Sequence, residues 1–490
     1  MAETLFFEDK IIRLFPGETL LAALRRSGIP LAASCGGKNR CGACRIRLLS
    51  GSFLHDGKPL EISPETPADL NACALRQISA VGKAAYLPRD DALCRCDLEL
   101  PPLPSFPTYR RGTFIALDLG STNVAAAIIQ NGKICRCAET PNRQSRFGSN
   151  VIDRIAFAAL PENFKRLREA LIRETVLPLL DKLLTPDLPV ERITACGNTA
   201  MSCFFAGIDP APLGQAPFEL GKVSFDLTAQ AAGLDRFAPD LPVKCVPHLC
   251  SFIGGDVLAG ISVTDFGSPQ NIELYLDIGT NCEMILNKKG TFYALSAAAG
   301  PAFERNGSVH GAIRHLDFRE NAWQLFPNAP SGTRLCGTAL NDLLCEAHKA
   351  GFLDNFGRWI KAPGLPENLI PSEEELSELV TAKAAISSGL RLLFRKADIS
   401  AAEISKVYLA GTFAFHLDIS RAVYTGLLPD LPENRFLKTG NAALAGAAAR
   451  TLFPETVQKT EPLENNIIHI NPAEEPDCMH FFASAMKITK

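Results

Sequence analysis

No apolar run in this sequence approaches the ~20 residues needed to span a bilayer. The opening stretch, "MAETLFFEDKIIRLF", lacks the basic segment and apolar core of a secretory signal. An excess of one charge is missing too: 50 Lys and Arg stand against 53 Asp and Glu, a net charge of −3. That balance gives no field to draw the chain to nucleic acid or to a membrane surface. The familiar nucleotide fingerprints are absent as well. The nearest approach to a Walker A loop, Gly51 to Gly57-Lys58, has five intervening residues and runs into Pro59, and no G-x-G-x-x-G follows a strand. These absences point to a cytoplasmic protein with neither nucleic acid nor membrane as partner, and any phosphate chemistry must use another loop.

What is abundant is cysteine, sixteen in 490 residues. In a reducing compartment, clustered cysteines bind metal or do redox chemistry more often than they form disulfides. The one dense cluster is "AASCGGKNRCGACRIRL", residues 32–48. Cys35, Cys41 and Cys44 are spaced C-x5-C-x2-C, and Cys73 in "LNACALR" follows after twenty-eight residues. A [2Fe–2S] cluster needs four thiolates, three from one loop and one from a distant strand. Gly36, Gly37 and Gly42 let backbone amides approach the cluster sulfurs, and Lys38 and Arg40 would help set its potential. A four-cysteine zinc site is the competing assignment, but such sites use paired short knuckles, whereas Cys73 has no near partner. Cys94-x-Cys96, Cys135-x-Cys137, Cys196, Cys203, Cys245, Cys250, Cys282, Cys336, Cys345 and Cys478 read as small apolar fillers.

The length suggests roughly three domains. Around the cysteine loop the order is hairpin (3–15), helix ("GETLLAALRRSG", stopped by Gly28), loop and strand ("CRIRLLSG"). This predicts an α+β β-grasp ferredoxin domain over residues 1–98. "LPPLPSFPTYRRG", with four prolines, cannot continue a helix or a central strand and reads as a stiff linker, 99–111.

Residues 112–490 carry an internal repeat. "FIALDLGSTNVAAAIIQNGKI" (114–134) and "IELYLDIGTNCEMILNKKGTF" (272–292) each run from an apolar strand through Asp-x-Gly into a Thr-Asn turn and a second strand. Asp118 to Gly132 is fourteen residues and Asp277 to Gly290 thirteen. Two copies predict a duplicated α/β domain with a cleft between halves of about 112–270 and 271–490. Gly120 and Gly279 permit tight turns whose amides face phosphate oxygens, and Ser121, Thr122, Asn123, Thr280 and Asn281 add donors. Asp118 and Asp277, at strand ends, suit a hydrated Mg2+ or the attacking water. "VYLAGTFAFHLD" (407–418) reads as a strand ending at Gly411 on a bend where a nucleoside lies against backbone. "NAALAGAAAR" (441–450) reads as a close-packing helix of small residues. Together these segments resemble the actin, hexokinase and Hsp70 ATPase superfamily, which implies ATP binding. Lys383, in "TAKAAI", reads as a lysine on a solvated helix face.

Ferredoxin plus this ATPase resembles one family, the reductive activators of corrinoid proteins. The matching segments include "CGNTAMSCFFAGIDPAPLGQAPF" (196–218), "IGGDVLAGI" (253–261), "AAGPAFE" (298–304), "LVTAKAAISSGLRLL" (379–393) and "GLLPDLPENRFLKTGNAALAGA" (426–447). The resemblance implies one-electron reduction of an inactive Co(II) corrinoid protein of a methyltransferase system to Co(I), assisted by ATP. It hints at a homodimer and leaves the upstream electron donor unnamed. Glu304 reads either as a solvated turn carboxylate or, as the resemblance implies, as a metal or water ligand beside Asp277. Departures from the family pattern are the short linker in place of an additional domain, and Thr412, Cys282 and Arg305 where glycines are usual. Those three are expected to weaken nucleotide binding. Two alternatives follow from the same segments: an ATP-dependent activator of a radical enzyme such as a 2-hydroxyacyl-CoA dehydratase, and a redox-sensing ATP-binding regulator without turnover.

Overall fold

The computed structural model describes residues 3–8, 10–29, 31, 37, 44–86, 98–185, 188–221, 225–304, 312–326 and 334–488. It divides into two compact units, Met1–Cys94 with Pro141–Val176, and Arg95–Thr140 with Leu177–Lys490.

In the first unit, β1 (Thr4–Phe7) and β2 (Lys10–Arg13) form the expected antiparallel hairpin. The helix Leu20–Arg26 is started by Thr19, whose hydroxyl accepts the Ala22 N–H. Five further strands follow: β3 (Arg45–His55), β4 (Lys58–Ile62), β5 (Ala68–Asn71), β6 (Leu75–Gln77) and β7 (Val81–Tyr86). The sheet order is β2-β1-β7-β3-β4, with β5 and β6 also pairing β3, and β1 runs parallel to β7. A mixed sheet with one helix across it is the β-grasp arrangement. Its buried core takes Leu5 and Phe7, two residues apart on β1, Leu20 and Leu24, one turn apart on the helix, and Ile46 and Leu48, two apart on β3. Residues 141–176 add to this unit: the Arg146 guanidinium lies 5.2 Å over the Tyr86 ring and is held by both carboxylate oxygens of Glu174.

The second unit holds two six-stranded sheets. The first contains β8 (Thr113–Leu119), β9 (Asn123–Gln130), β10 (Lys133–Pro141), β11 (Arg192–Cys196), β12 (Asp226–Thr228) and β13 (Pro242–Cys245), in the order β10-β9-β8-β11-β13-β12. The second contains β14 (Ile272–Ile278), β15 (Cys282–Lys288), β16 (Thr291–Ala297), β19 (Lys406–Ala410), β20 (Phe436–Gly440) and β21 (Ile467–His469), in the order β20-β19-β14-β15-β16-β21. A small hairpin, β17 (His315–Arg319) and β18 (Ala322–Phe326), stands apart. Both sheets share one plan: β8 pairs antiparallel with β9 and parallel with β11, and β14 pairs antiparallel with β15 and parallel with β19. The sequence repeat is therefore a structural duplication, as expected. β8 and β14 are near-continuous apolar runs because each is a central strand covered on both faces.

The small-residue helix Ala442–Leu452 is buried along its whole length. Its Gly446 passes so near the helix Gly255–Ser262 that a Cβ would stand 1.8 Å from the Ala259 carbonyl oxygen. Residues 98–111 form neither helix nor strand. Their Leu98, Leu100, Leu103 and Phe106 pack on the core of this second unit.

Two readings need correction. Lys383 is not on a solvated face: it is 2% exposed, and its ammonium donates to the Lys487 carbonyl at 2.6 Å, with burial lowering its pKa to about 8. A lysine on an amphipathic helix tells nothing of a later segment that comes to cover it. Cys135 is exposed and no filler, since β10 lies at a sheet edge; Cys137, Cys250 and Cys478 are half-buried, whereas Cys196, Cys203, Cys245, Cys282, Cys336 and Cys345 are buried. Cys94 and Cys96 lie outside the described residues. Among the described residues no helix is long and apolar enough to cross a membrane.

Candidate functional site

Two of the four predicted cluster ligands fall among the described residues. Cys44, 1% exposed, leads into β3, and Cys73, 8% exposed, sits in the short turn Ala72–Ala74. A backbone hydrogen bond from the Ala72 N–H to the Cys44 carbonyl, 3.0 Å, ties the two positions together. Gly37 has φ +87°, and a Cβ there would stand 3.8 Å from that of Cys73, so this glycine lies beside the distant cysteine. Buried thiols on linked turns beside a glycine backbone fit a [2Fe–2S] cluster. Cys35 and Cys41, with Gly36, Lys38, Arg40 and Gly42, lie outside the described residues.

In the second unit the two Asp-x-Gly turns face one cavity of about 240 Å³. Asp118, Gly120, Ser121, Thr122 and Asn123 of the first turn line it together with Asp277, Gly279, Thr280 and Asn281 of the second. Gly411 and Thr412 complete the wall. Gly120 is required by crowding, because a Cβ there would meet the Asn123 carbonyl oxygen at 2.3 Å. The second turn is closed by the Gly279 N–H donating to the Asn281 carbonyl, 2.8 Å. Gly411, at φ +92°, ends β19 so near the second turn that a Cβ would stand 3.1 Å from the Asp277 carboxylate. Phe303 and Phe413, their ring centroids 4.7 Å apart, add an apolar wall suited to a flat base. Glu304 ends the short turn Pro301–Glu304 that carries Phe303.

Several lining residues escaped sequence reasoning. Glu139, Asp256 and Glu283 join Asp118 and Asp277 on the wall. Glu283 stands directly across the β14–β15 ladder from Asp277; an acid inside an otherwise apolar strand, just after the turn, was the available signal. Asn441 caps the helix Ala442–Leu452 with its amide oxygen and donates its Nδ2 to Asp118 at 2.9 Å. Nothing local in the sequence pairs residues so far apart. Of the departures from the family pattern, Thr412 lines the cavity. Cys282 is fully buried at the start of β15 and lies off the wall, so its thiol does not narrow the site. Arg305 lies outside the described residues.

The acids are costly to keep charged. Burial pushes Asp118 up to about 7, with the Asn441 hydrogen bond opposing and Asp277 and Glu139 adding to the rise. Burial likewise raises Asp256 and Glu283, each pushed further by neighbouring carboxylates. A phosphate chain enters such a wall only with a compensating cation, while the hydroxyls, amides and glycine turns supply what phosphate oxygens need.

Three family models match in tandem along the chain. The 2Fe-2S iron-sulfur cluster binding domain matches residues 8–76, the RACo middle region 114–268, and the C-terminal domain of RACo, the ASKHA domain, 271–490. The latter two adjoin and together take in more than half of the chain. The chain belongs to the RACo family. Among similar proteins, the corrinoid activation enzyme RamQ of Eubacterium limosum is 27% identical over 412 residues, 74% of this chain and 68% of that protein. The [Co(II) methylated amine-specific corrinoid protein] reductase of Methanosarcina barkeri is 23% identical over 396 residues, 71% of each. A solved structure titled reductive activator for corrinoid, iron-sulfur protein superposes with a TM-score of 0.68 at 22% identity, covering 99% of this chain and 98% of that one. At that identity it supports the fold.

Proposed function

We propose that this protein is an ATP-dependent reductive activator that passes one electron from its ferredoxin domain to an inactive Co(II) corrinoid protein, restoring Co(I). The observation that carries this is the union, in one chain, of a ferredoxin domain with a RACo-type ATPase; the relatives named for corrinoid activation and Co(II) corrinoid reduction agree with it. Cys35, Cys41, Cys44 and Cys73 would hold a [2Fe–2S] cluster, which would supply single electrons at about −400 mV if it behaves as plant-type clusters do. Co(I) corrinoids are harder to make than that. For one electron each ~59 mV corresponds to about 1.4 kcal/mol, so energy linked to ATP must close the gap.

Within the ATPase, the two glycine turns cradle the phosphates from opposite sides with backbone amides and the hydroxyls of Ser121, Thr122 and Thr280. Asp118 and Asp277 would hold a hydrated Mg2+ that neutralises the phosphate charge, and Glu304 is a further candidate ligand or water holder. ATP state then sets the affinity for the corrinoid partner, because a nucleotide can bias complex formation only by binding two states unequally. The partner belongs to a methyltransferase system, and the setting is the cytoplasm; dimerisation is a further expectation of this reading.

The test is an anaerobic visible spectrum of a Co(II) corrinoid protein mixed with dithionite-reduced activator, with and without Mg-ATP. A Co(I) band that grows only with ATP, and only with the four cysteines intact, is the expected result. A confirmed [2Fe–2S] cluster with no Co(I) from any of several corrinoid proteins would overturn the reading.

A further inference from the structure

The segment that leads from the ferredoxin domain does not run free past the ATPase. Four of its side chains, Leu98, Leu100, Leu103 and Phe106, pack on the ATPase core, with the Phe106 ring 5.3 Å from that of Phe453. Its far end is fixed where the Arg110 N–H donates to the Leu452 carbonyl at 3.0 Å. Its near end is fixed at Glu99, whose carbonyl accepts the Asn441 N–H at 2.8 Å. Thus both ends of the helix 442–452 hold one proline-stiffened strand of chain. Pro101, Pro102, Pro104 and Pro107 fix its backbone dihedrals, and its four apolar side chains are held on the core, so the segment is docked along its length with little slack.

Asn441 is where this segment meets the nucleotide cavity. Its backbone N–H holds Glu99, its Nδ2 holds the Asp118 carboxylate, and its amide oxygen caps the helix. The preceding residue, Gly440, accepts the Gly411 N–H at 3.2 Å. Gly440 has φ +63°, and a Cβ would stand 2.2 Å from the Glu99 carbonyl oxygen, so the strap and this corner are built to one fit. The Glu99 carboxylate also lies 3.5 Å from His416, another cavity-lining residue.

We propose that residues 98–110 form a strap that positions Asn441, and through it Asp118, so that the tether of the ferredoxin domain and the nucleotide cavity are energetically coupled. Glu99 and Asn441 are positioning residues, acting through Asp118 and Gly411. This rests on the reading of the cavity as an ATP site. Coupling of this kind is reciprocal: whatever nucleotide does to the strap, loosening the strap does to nucleotide affinity.

The experiment is hydrogen exchange on the full-length protein with and without Mg-ATP, paired with ATP titrations of Phe106→Ala, Gly440→Ala and the conservative Phe106→Leu. The informative amide is that of Arg110, outside the cavity lining. Its exchange is expected to change several-fold on adding Mg-ATP. Phe106→Ala and Gly440→Ala are expected to bind ATP about tenfold more weakly, and Phe106→Leu within about twofold of the parent, with all cluster spectra unchanged. If residues 118–123 and 277–283 become protected while Arg110 does not respond and the strap variants bind ATP normally, the strap proposal is overturned and the ATP site stands. If neither region responds in the parent protein, the ATP reading fails and the strap proposal with it.

Discussion

The two Asp-x-Gly turns come from one design and have diverged in how each acid is kept. In the first hairpin Leu119 pairs with Val124, leaving residues 120–123 as the turn; in the second Ile278 pairs with Cys282, leaving 279–281. The one-residue slack between the sequence copies lies here, at the cavity-facing tip. Across the ladder from Asp118 stands Ala125, while across from Asp277 stands Glu283. The first acid is thus steadied by an amide, Asn441, and the second faces another acid. Burial, Asp256 and Asp277 all favour the protonated form of Glu283, so the second acid faces a carboxyl that keeps its proton rather than an amide donor.

Removing the second acid should have the largest effect. Asp277→Asn should lower ATP hydrolysis about 100-fold or more, the scale of losing one preorganised electrostatic group, with the cluster spectrum unchanged; steady-state phosphate release reads it, and near-parental turnover would make the second turn dispensable. Next comes pH. The folded, nucleotide-free protein holds Asp118 protonated up to about 7, far above the value of an unfolded aspartate. The stability this contributes is present below about pH 4 and is lost as pH rises through about 7. Melting without nucleotide should therefore move to lower temperature from pH 6 to pH 8, Asp118→Asn should flatten that slope, and Mg-ATP should stabilise more at pH 8 than at pH 6. A slope unchanged in the variant would assign it to Asp256 or Glu283 instead.

A change that makes the second hairpin resemble the first tests the comparison directly. Glu283→Gln should raise the stability of the nucleotide-free protein by up to about 1 kcal/mol, the range for cross-strand pairs, while weakening Mg2+-dependent stabilisation; thermal melts with and without Mg-ATP check both. Smallest of all, Ser121→Ala and Thr280→Ala each remove one hydroxyl and should each cost about 1 kcal/mol of nucleotide binding, seen as a several-fold rise in KM. An effect at one turn alone would show that only that turn grips phosphate.

Much of this site was legible because its residues are neighbours in sequence. The Asp-x-Gly turns, the strand into Gly411 and the cysteine spacing are local patterns, and local backbone geometry is set by local residue types. Asn441, Asp256 and Glu139 were not legible, since each reaches the cavity from a different element. Lys383 misled for the same reason: its partner carbonyl at Lys487 is more than a hundred residues away. The proline-rich stretch was readable as stiff, but not as docked, because docking depends on a groove made by other segments.

By itself, the sequence determined the ferredoxin-like domain, the duplicated ATPase and the acids at each strand end, all consequences of spacing and periodicity. Only the tertiary structure decided that five carboxylates share one cavity, that Asp118 is held by Asn441, and that the Asn441 N–H is in turn held by the Glu99 carbonyl. The reason is physical. Hydrophobic patterning specifies which face of an element is buried, whereas burial raises a carboxyl pKa and aligns a hydrogen bond only once distant elements have closed around it.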